Sequence, residues 1–182
     1  MNIVKILIGI LYLLNSNSSI SKNGIGDVTF NKKVSDYNKK NYYKVEKKYM
    51  TDEAGDSTYY VTLFLNKKHF ISIEADPNDK EVTGIVTNSP DFYTADSIRV
   101  GSTFEQLVNK YDGLVFLDGE GGEIDAYLKR ENIIFQMPNL SFKDRFDYEN
   151  RKRKLEKSTL LKNVKNKKVT VNYIKVVKYA IP

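Results

Sequence analysis

A chain with one histidine and no cysteine has few ways to build a catalytic device. His69 stands beside Lys67 and Lys68 and in line with Ile71 and Ile73. A Ser-His-Asp or His-Glu arrangement would have to run through it. No G-x-S-x-G, H-E-x-x-H or P-loop pattern accompanies it, so it reads as an ordinary imidazole at a strand end. Without cysteine, a disulfide framework, a thiolate zinc site and a cysteine nucleophile are excluded. Carboxylates remain. The run Asp118-Gly119-Glu120-Gly121-Gly122-Glu123-Ile124-Asp125 concentrates Asp118, Glu120, Glu123 and Asp125 among three glycines. Hard cations take such oxygens, which makes this run a candidate for weak Ca²⁺ binding. Its spacing is neither that of an EF-hand nor that of a calcium-binding nonapeptide repeat, and a solvated hairpin turn has the same composition. A carboxylate-based hydrolase would need two acids about 5–9 Å apart across a sugar cleft, a placement that sequence does not give. Nothing calls for a cofactor.

The other chemistry on offer is charge. Arg151, Lys152, Arg153 and Lys154 open a basic tract that continues through Lys157, Lys162, Lys165, Lys167 and Lys168. Formal net charge is +6, but it is unevenly spread. Residues 1–50 carry nine lysines against three acids, residues 51–140 seven bases against sixteen acids, and residues 141–182 thirteen bases against four. Such an acidic body between basic flanks either neutralises itself or turns a basic face to a polyanion. Aromatic residues of the kind that stack bases are thin in the tract, so no nucleic acid is expected. An anionic envelope component or an acidic protein fits better.

That preference follows from the N-terminus. A lysine at position 5 precedes the apolar run Ile6–Leu14, and an Asn/Ser stretch follows. This is the secretory-signal pattern, with residues 1–21 as the leader and Ser16/Ser18 or Ser19/Ser21 as small residues before the cut. The run is too short to span a bilayer, which takes about 20 residues. The alternative is a buried N-terminal helix or strand. The expectation is an exported protein, periplasmic or secreted, with no transmembrane anchor in its mature form and a single domain over residues 22–182.

The elements that must position these residues read as follows. Ser21–Asp27, with Gly24 and Gly26, is a flexible lead-in. Residues 42–50, 58–65, 69–75 and 81–87 are strand-like, the second and third joined by Asn66-Lys67-Lys68 as a hairpin. Residues 88–97 form a loop around Pro90. Ser102 and Glu105 fit a capping box, and Phe104, Leu107, Val108 and Tyr111 recur at helical spacing, so a helix spans 103–111. Residues 114–117 form a strand, 124–129 and 132–137 a second hairpin, and 169–179 a C-terminal strand, with a possible basic helix near 142–162. Strands, a helix and then more strands give an α+β fold, a mostly antiparallel sheet of about six to eight strands with one short helix packed on it.

The stretch from Val82 to Tyr111 resembles a pattern in small bacterial envelope proteins, T-x-x-G-I-R-V-G-S-T-F leading into a helix. In this respect it is similar to the envelope-stress (sigma-E) regulated lipoprotein family. Thr94, Ile98, Arg99, Val100, Gly101, Ser102, Thr103, Phe104 and Leu107 carry the likeness, over about one sixth of the chain. Asp96-Ser97 stands where the pattern has glycine, and the lipid-attachment cysteine is missing. The resemblance implies an exported α+β domain without known catalysis and carries over no functional residues. Together these readings predict a non-enzymatic exported domain that binds a cell-envelope or extracellular partner through its sheet face or basic C-terminal region. A secreted inhibitor or immunity protein and a carboxylate-based hydrolase are the alternatives.

Overall fold

The computed structural model describes residues 18–37, 41–51, 55–78, 80–118, 124–137 and 169–181. Within them the chain is α+β. An eight-stranded antiparallel sheet runs β4 (Lys44–Thr51), β5 (Ser57–Phe64), β6 (Phe70–Ala75), β7 (Val82–Thr87), β12 (Tyr173–Val177), β11 (Ile133–Met137), β10 (Ile124–Leu128), β9 (Val115–Asp118) in spatial order. Two meanders, β4–β7 and β9–β11, are thus joined by the C-terminal strand inserted between β7 and β11.

Alternation fixes which face is the core. On β5, Tyr59, Val61 and Leu63 are buried while Tyr60, Thr62 and Phe64 are half-buried; β6 repeats this with Ile71, Ile73 and Ala75. A register slip by one residue would turn every one of these side chains out, so burial specifies the pairing. The single α-helix of the described residues, α1 (Phe104–Lys110), packs Phe104, Leu107 and Val108 onto this face. Tyr111, just after the helix, stacks on Phe135 at 5.7 Å between ring centroids, and Phe104 packs against Phe116 at 5.8 Å. On the opposite face Lys175 and Glu74 pair at 2.7 Å above Gly84, where a side chain would meet the Glu74 carboxylate.

The lead-in is ordered structure rather than a flexible segment. A second, four-stranded sheet consists of β1 (Ser19–Ser21), β2 (Gly24–Ile25), β3 (Val28–Thr29) and β8 (Tyr93–Thr94), in the order β3-β2-β1-β8. Its Ile20, Ile25 and Val28 are buried in the common core. The glycines taken as a sign of flexibility set the turns: Gly24 has φ 149° and Gly26 φ 57°. Residues Ser19–Ser21, inside the 1–21 leader predicted from sequence, form a strand of this sheet.

The helix is where expected, but its cap lies one residue later. Thr103 Oγ1 accepts from the Gln106 amide at 3.1 Å, and Gln106 Oε1 accepts from the Thr103 amide at 2.8 Å. Thr103 has the extended backbone that an N-cap requires, with φ −74° and ψ 155°. Ser102 instead closes the turn from Arg99, its hydroxyl oxygen accepting from the Arg99 amide at 3.0 Å. The expected basic helix near 142–162 lies outside the described residues.

Candidate functional site

The segment between β7 and α1 carries the most unusual backbone of the described residues. Thr94-Ala95-Asp96-Ser97-Ile98 is a tight three-residue hairpin: the Ser97 amide donates to the Thr94 carbonyl at 2.8 Å and the Thr94 amide to the Ile98 carbonyl at 2.9 Å. Such loops place their last residue in the left-handed region, and Ser97 stands there at φ 65°. This is the position at which the resembling envelope-protein pattern carries glycine. The buried Thr94 hydroxyl holds the hairpin down. It shares a 2.7 Å hydrogen bond with the Tyr111 hydroxyl at the end of α1 and accepts from the Ile98 amide at 3.2 Å. A second turn, Arg99 to Ser102, follows with Gly101 at φ 89°, the conformation that the third position of a type II turn demands. The C-terminal segment then pins this turn to the sheet, with Gly101 donating to Val171 at 2.8 Å and Val171 donating to Ser102 at 2.9 Å.

These two turns frame an open cleft of about 690 Å³ lined by Asp91, Tyr93, Ser97, Arg99, Ser102 and Gln106, with Pro90, Val100 and Gly101 completing the wall. Tyr93 and Arg99 are direct partners in an antiparallel bridge, so their side chains leave the same face as neighbours. Arg99 is exposed and, among the described residues, forms no ion pair. Its guanidinium offers a planar fork of donors suited to a carboxylate or phosphate. Asp91 is held in place by Ser89, whose buried hydroxyl donates to its carboxylate at 3.0 Å and accepts from its amide at 3.3 Å. The cleft thus offers one cation, one carboxylate and several hydroxyl and amide groups. Such groups can hydrogen-bond a polar ligand, with Arg99 suited to an anionic end.

Of the residues singled out from sequence, His69 lies away from this cleft. It closes the β5–β6 turn, where Asn66 Oδ1 accepts from the amides of Lys68 and His69 at 2.8 and 2.9 Å, and its imidazole faces the Asn66 amide group at 3.3 Å. Asp118 pairs with Ile124 and Asp125 with Leu117, so the two acids occupy register positions of opposite parity. Glu120 and Glu123 lie outside the described residues, as do Arg151, Lys152, Arg153 and Lys154. Among the described residues no three metal-ligating side chains gather, and no helix is long and apolar enough to cross a membrane. Sequence reasoning missed the cleft itself. The available signal was the pair of tight turns around Thr94–Ser102, read there only as a loop and a helix start.

No family model matches the chain, and no curated protein does. Among solved structures it is similar to the crystal structure of the uncharacterized protein yfeY from Escherichia coli. The TM-score is 0.58 at 14% sequence identity, with 87% of this chain and 99% of that one covered. The two share a fold. At that identity the likeness carries no activity.

Proposed function

We propose that this protein is a non-enzymatic, exported binding domain that holds the anionic group of a cell-envelope or extracellular partner in the Arg99 cleft. The observation that carries the reading is the exposed Arg99 guanidinium, without an ion-pair partner among the described residues, in an open cleft framed by two tight turns. The two turns fix the backbone that carries it, so binding has to order only the side chain. Carboxylate and phosphate are the two chemistries that its donor fork fits. The basic tract at Arg151–Lys154 belongs to the same reading as a second contact with a polyanion. Export is inferred from the Ile6–Leu14 run. Because Ile20 is buried in the core, the mature chain on this reading begins before Ser19.

The test is retention of the purified protein on polyglutamate and on phosphatidylglycerol vesicles, which separates carboxylate from phosphate as the bound group. Arg99→Gln should weaken retention by about tenfold or more, the worth of a charge-assisted hydrogen-bond pair. Unchanged retention with Arg99→Gln overturns the cleft as the site. Loss confined to the variant with glutamine at Arg151, Lys152, Arg153 and Lys154 moves the site to the tract.

A further inference from the structure

A second cleft, of about 390 Å³, lies where the N-terminal hairpins meet the main sheet. Its floor is apolar, from Val28, Leu65, Ile71 and Phe92. Tyr37 and Tyr42 form aromatic walls, and Asp27 and Asp36 add carboxylates. The Tyr37 ring is fixed: its hydroxyl accepts from the Thr29 amide at 3.1 Å and lies 3.4 Å from the Thr29 carbonyl. Asp36 is anchored too, its carboxylate accepting from the Lys33 amide at 3.0 Å. One cation lines the cleft. Lys32 directs its ammonium to the main-chain carbonyl of Asp27 at 2.9 Å and forms no ion pair with either acid. Two carboxylates against one ammonium leave the cleft negative.

We propose that this cleft is a second ligand site, for an organic ammonium group, with Tyr37, Tyr42 and Phe92 supplying aromatic surface and Asp27 and Asp36 the countercharge. Aromatic rings attract a cation through their negative faces, and the attraction grows as the site is desolvated. The cleft's volume is within the range of small-molecule sites, and its apolar floor suits the methyl or methylene groups that surround a substituted ammonium. Elsewhere the fold builds the same arrangement for its own use: the Lys80 ammonium sits 4.1 Å from the Tyr59 ring centroid and 4.5 Å from that of Tyr49. The field in the cleft points the same way. Burial first, and then the charges of Asp36 and Asp27, push the Tyr37 hydroxyl above its ordinary value; Tyr42 is raised by burial, by Tyr37 and by Asp27. Burial opposes charge of either sign, and it is the smaller contribution, the charges of Asp36 and Asp27, that favours a cation over an anion here. This inference does not rest on the Arg99 reading, because Pro90, Asp91 and Tyr93 line the first cleft whereas Phe92 lines the second.

The probe is choline, titrated into the full chain at constant ionic strength, with 3,3-dimethylbutan-1-ol as its neutral isostere. Choline should bind saturably, with its N-methyl proton resonances shifted upfield by the rings, and the isostere should bind at least about tenfold more weakly. Asp27→Asn, an exposed change that leaves the core intact, should weaken choline about threefold to tenfold, and Lys32→Gln should tighten it. Tyr42→Leu should remove the upfield shift. Equal binding of choline and the isostere would make the cleft merely apolar and overturn the proposal. So would absence of saturable choline binding, or tighter choline binding by Asp27→Asn.

Discussion

Replacing Gly24 by alanine tests whether the N-terminal sheet is built as described. Gly24 has φ 149°, and a Cβ placed there would lie 2.1 Å from the Val28 carbonyl oxygen and 2.8 Å from the Thr29 Cα. Both obstacles are backbone, and Gly24 is the register partner of Thr29, so neither can retreat without parting β2 from β3. Overpacking of this kind costs about 1–3 kcal/mol and a strained backbone about as much again. The sum is bounded by simply shedding the sheet. That would expose Ile20, Ile25 and Val28, at about 1.5–3 kcal/mol each. The expected loss is therefore about 3 kcal/mol or more, or a fall in Tm of about 6–12 °C for a chain of this size. Gly84→Ala supplies the contrast. Its Cβ would meet Glu74 Oε2 at 2.4 Å, the far end of a flexible side chain that can swing away from Lys175. That substitution should cost about 1 kcal/mol, the worth of a partly exposed pair. Urea and thermal unfolding of both variants, with amide exchange over residues 19–29, measure this. If Gly24→Ala melted within a degree or two of the parent, the β2–β3 turn would not be packed as described.

Further outcomes are expected. Thr103→Ala should lower stability by about 1 kcal/mol through loss of the N-cap; Ser102→Ala should leave the helix amides protected and loosen the Arg99–Ser102 turn, as amide exchange of Arg99 would report. Ser97→Gly should raise Tm slightly, by about 1–2 °C, because relief of a left-handed non-glycine residue outweighs the added chain entropy; a lowered Tm would contradict the φ of 65°. Tyr37, Tyr42 and Tyr111 all have hydroxyls raised above their ordinary value, burial being the largest cause in each. Their neutral forms are thus favoured by folding, so this contribution is full below about pH 10 and is lost as pH rises above it, where the unfolded chain gives up its protons first. Urea midpoints that stayed flat from pH 9 to about pH 11.5 would refute that assignment. Intact mass of the exported protein should show a start before Ser19; a start beyond Ile20 would remove a core residue and contradict either the cleavage or the sheet.

What sequence revealed and what it concealed have separable physical causes. Strands β5 and β6 alternate cleanly because one face is buried along their length, and α1 repeats its apolar residues at helical spacing. Such patterns are imposed by the core and are visible residue by residue. The N-terminal sheet left no pattern to read. Its strands are two or three residues long, too short to repeat the two-residue alternation of a strand, and its buried residues are spaced by turns. The cap was misassigned because Ser102–Glu105 and Thr103–Gln106 are both capping boxes in sequence. The Ser102 hydroxyl is taken by the Arg99 amide, and Val171, about seventy residues away, holds the Gly101–Ser102 backbone outside the helix. Clefts are harder still: the tyrosine-lined one joins residues from Asp27 to Phe92, and the Arg99 one, though built from residues 90–106 alone, depends on how two turns fold against each other.

The segment 90–93 shows why both clefts escaped notice and why they belong together. It runs from a turn at Pro90 and Asp91 into the start of β8 at Tyr93. Asp91 and Tyr93 face the Arg99 cleft, and Phe92, between them, is buried against the floor of the tyrosine-lined one. A single segment thus forms a wall between a site that offers a guanidinium and a site that offers carboxylates and aromatic rings. Tyr93 in turn pairs with Ser19 on one side and Arg99 on the other, so β1 helps to hold this wall in place. The N-terminal sheet therefore has a use beyond covering the core. Without β1, Tyr93 would lose one of its two main-chain partners, and the wall that both clefts share would lose its tie to the N-terminal sheet.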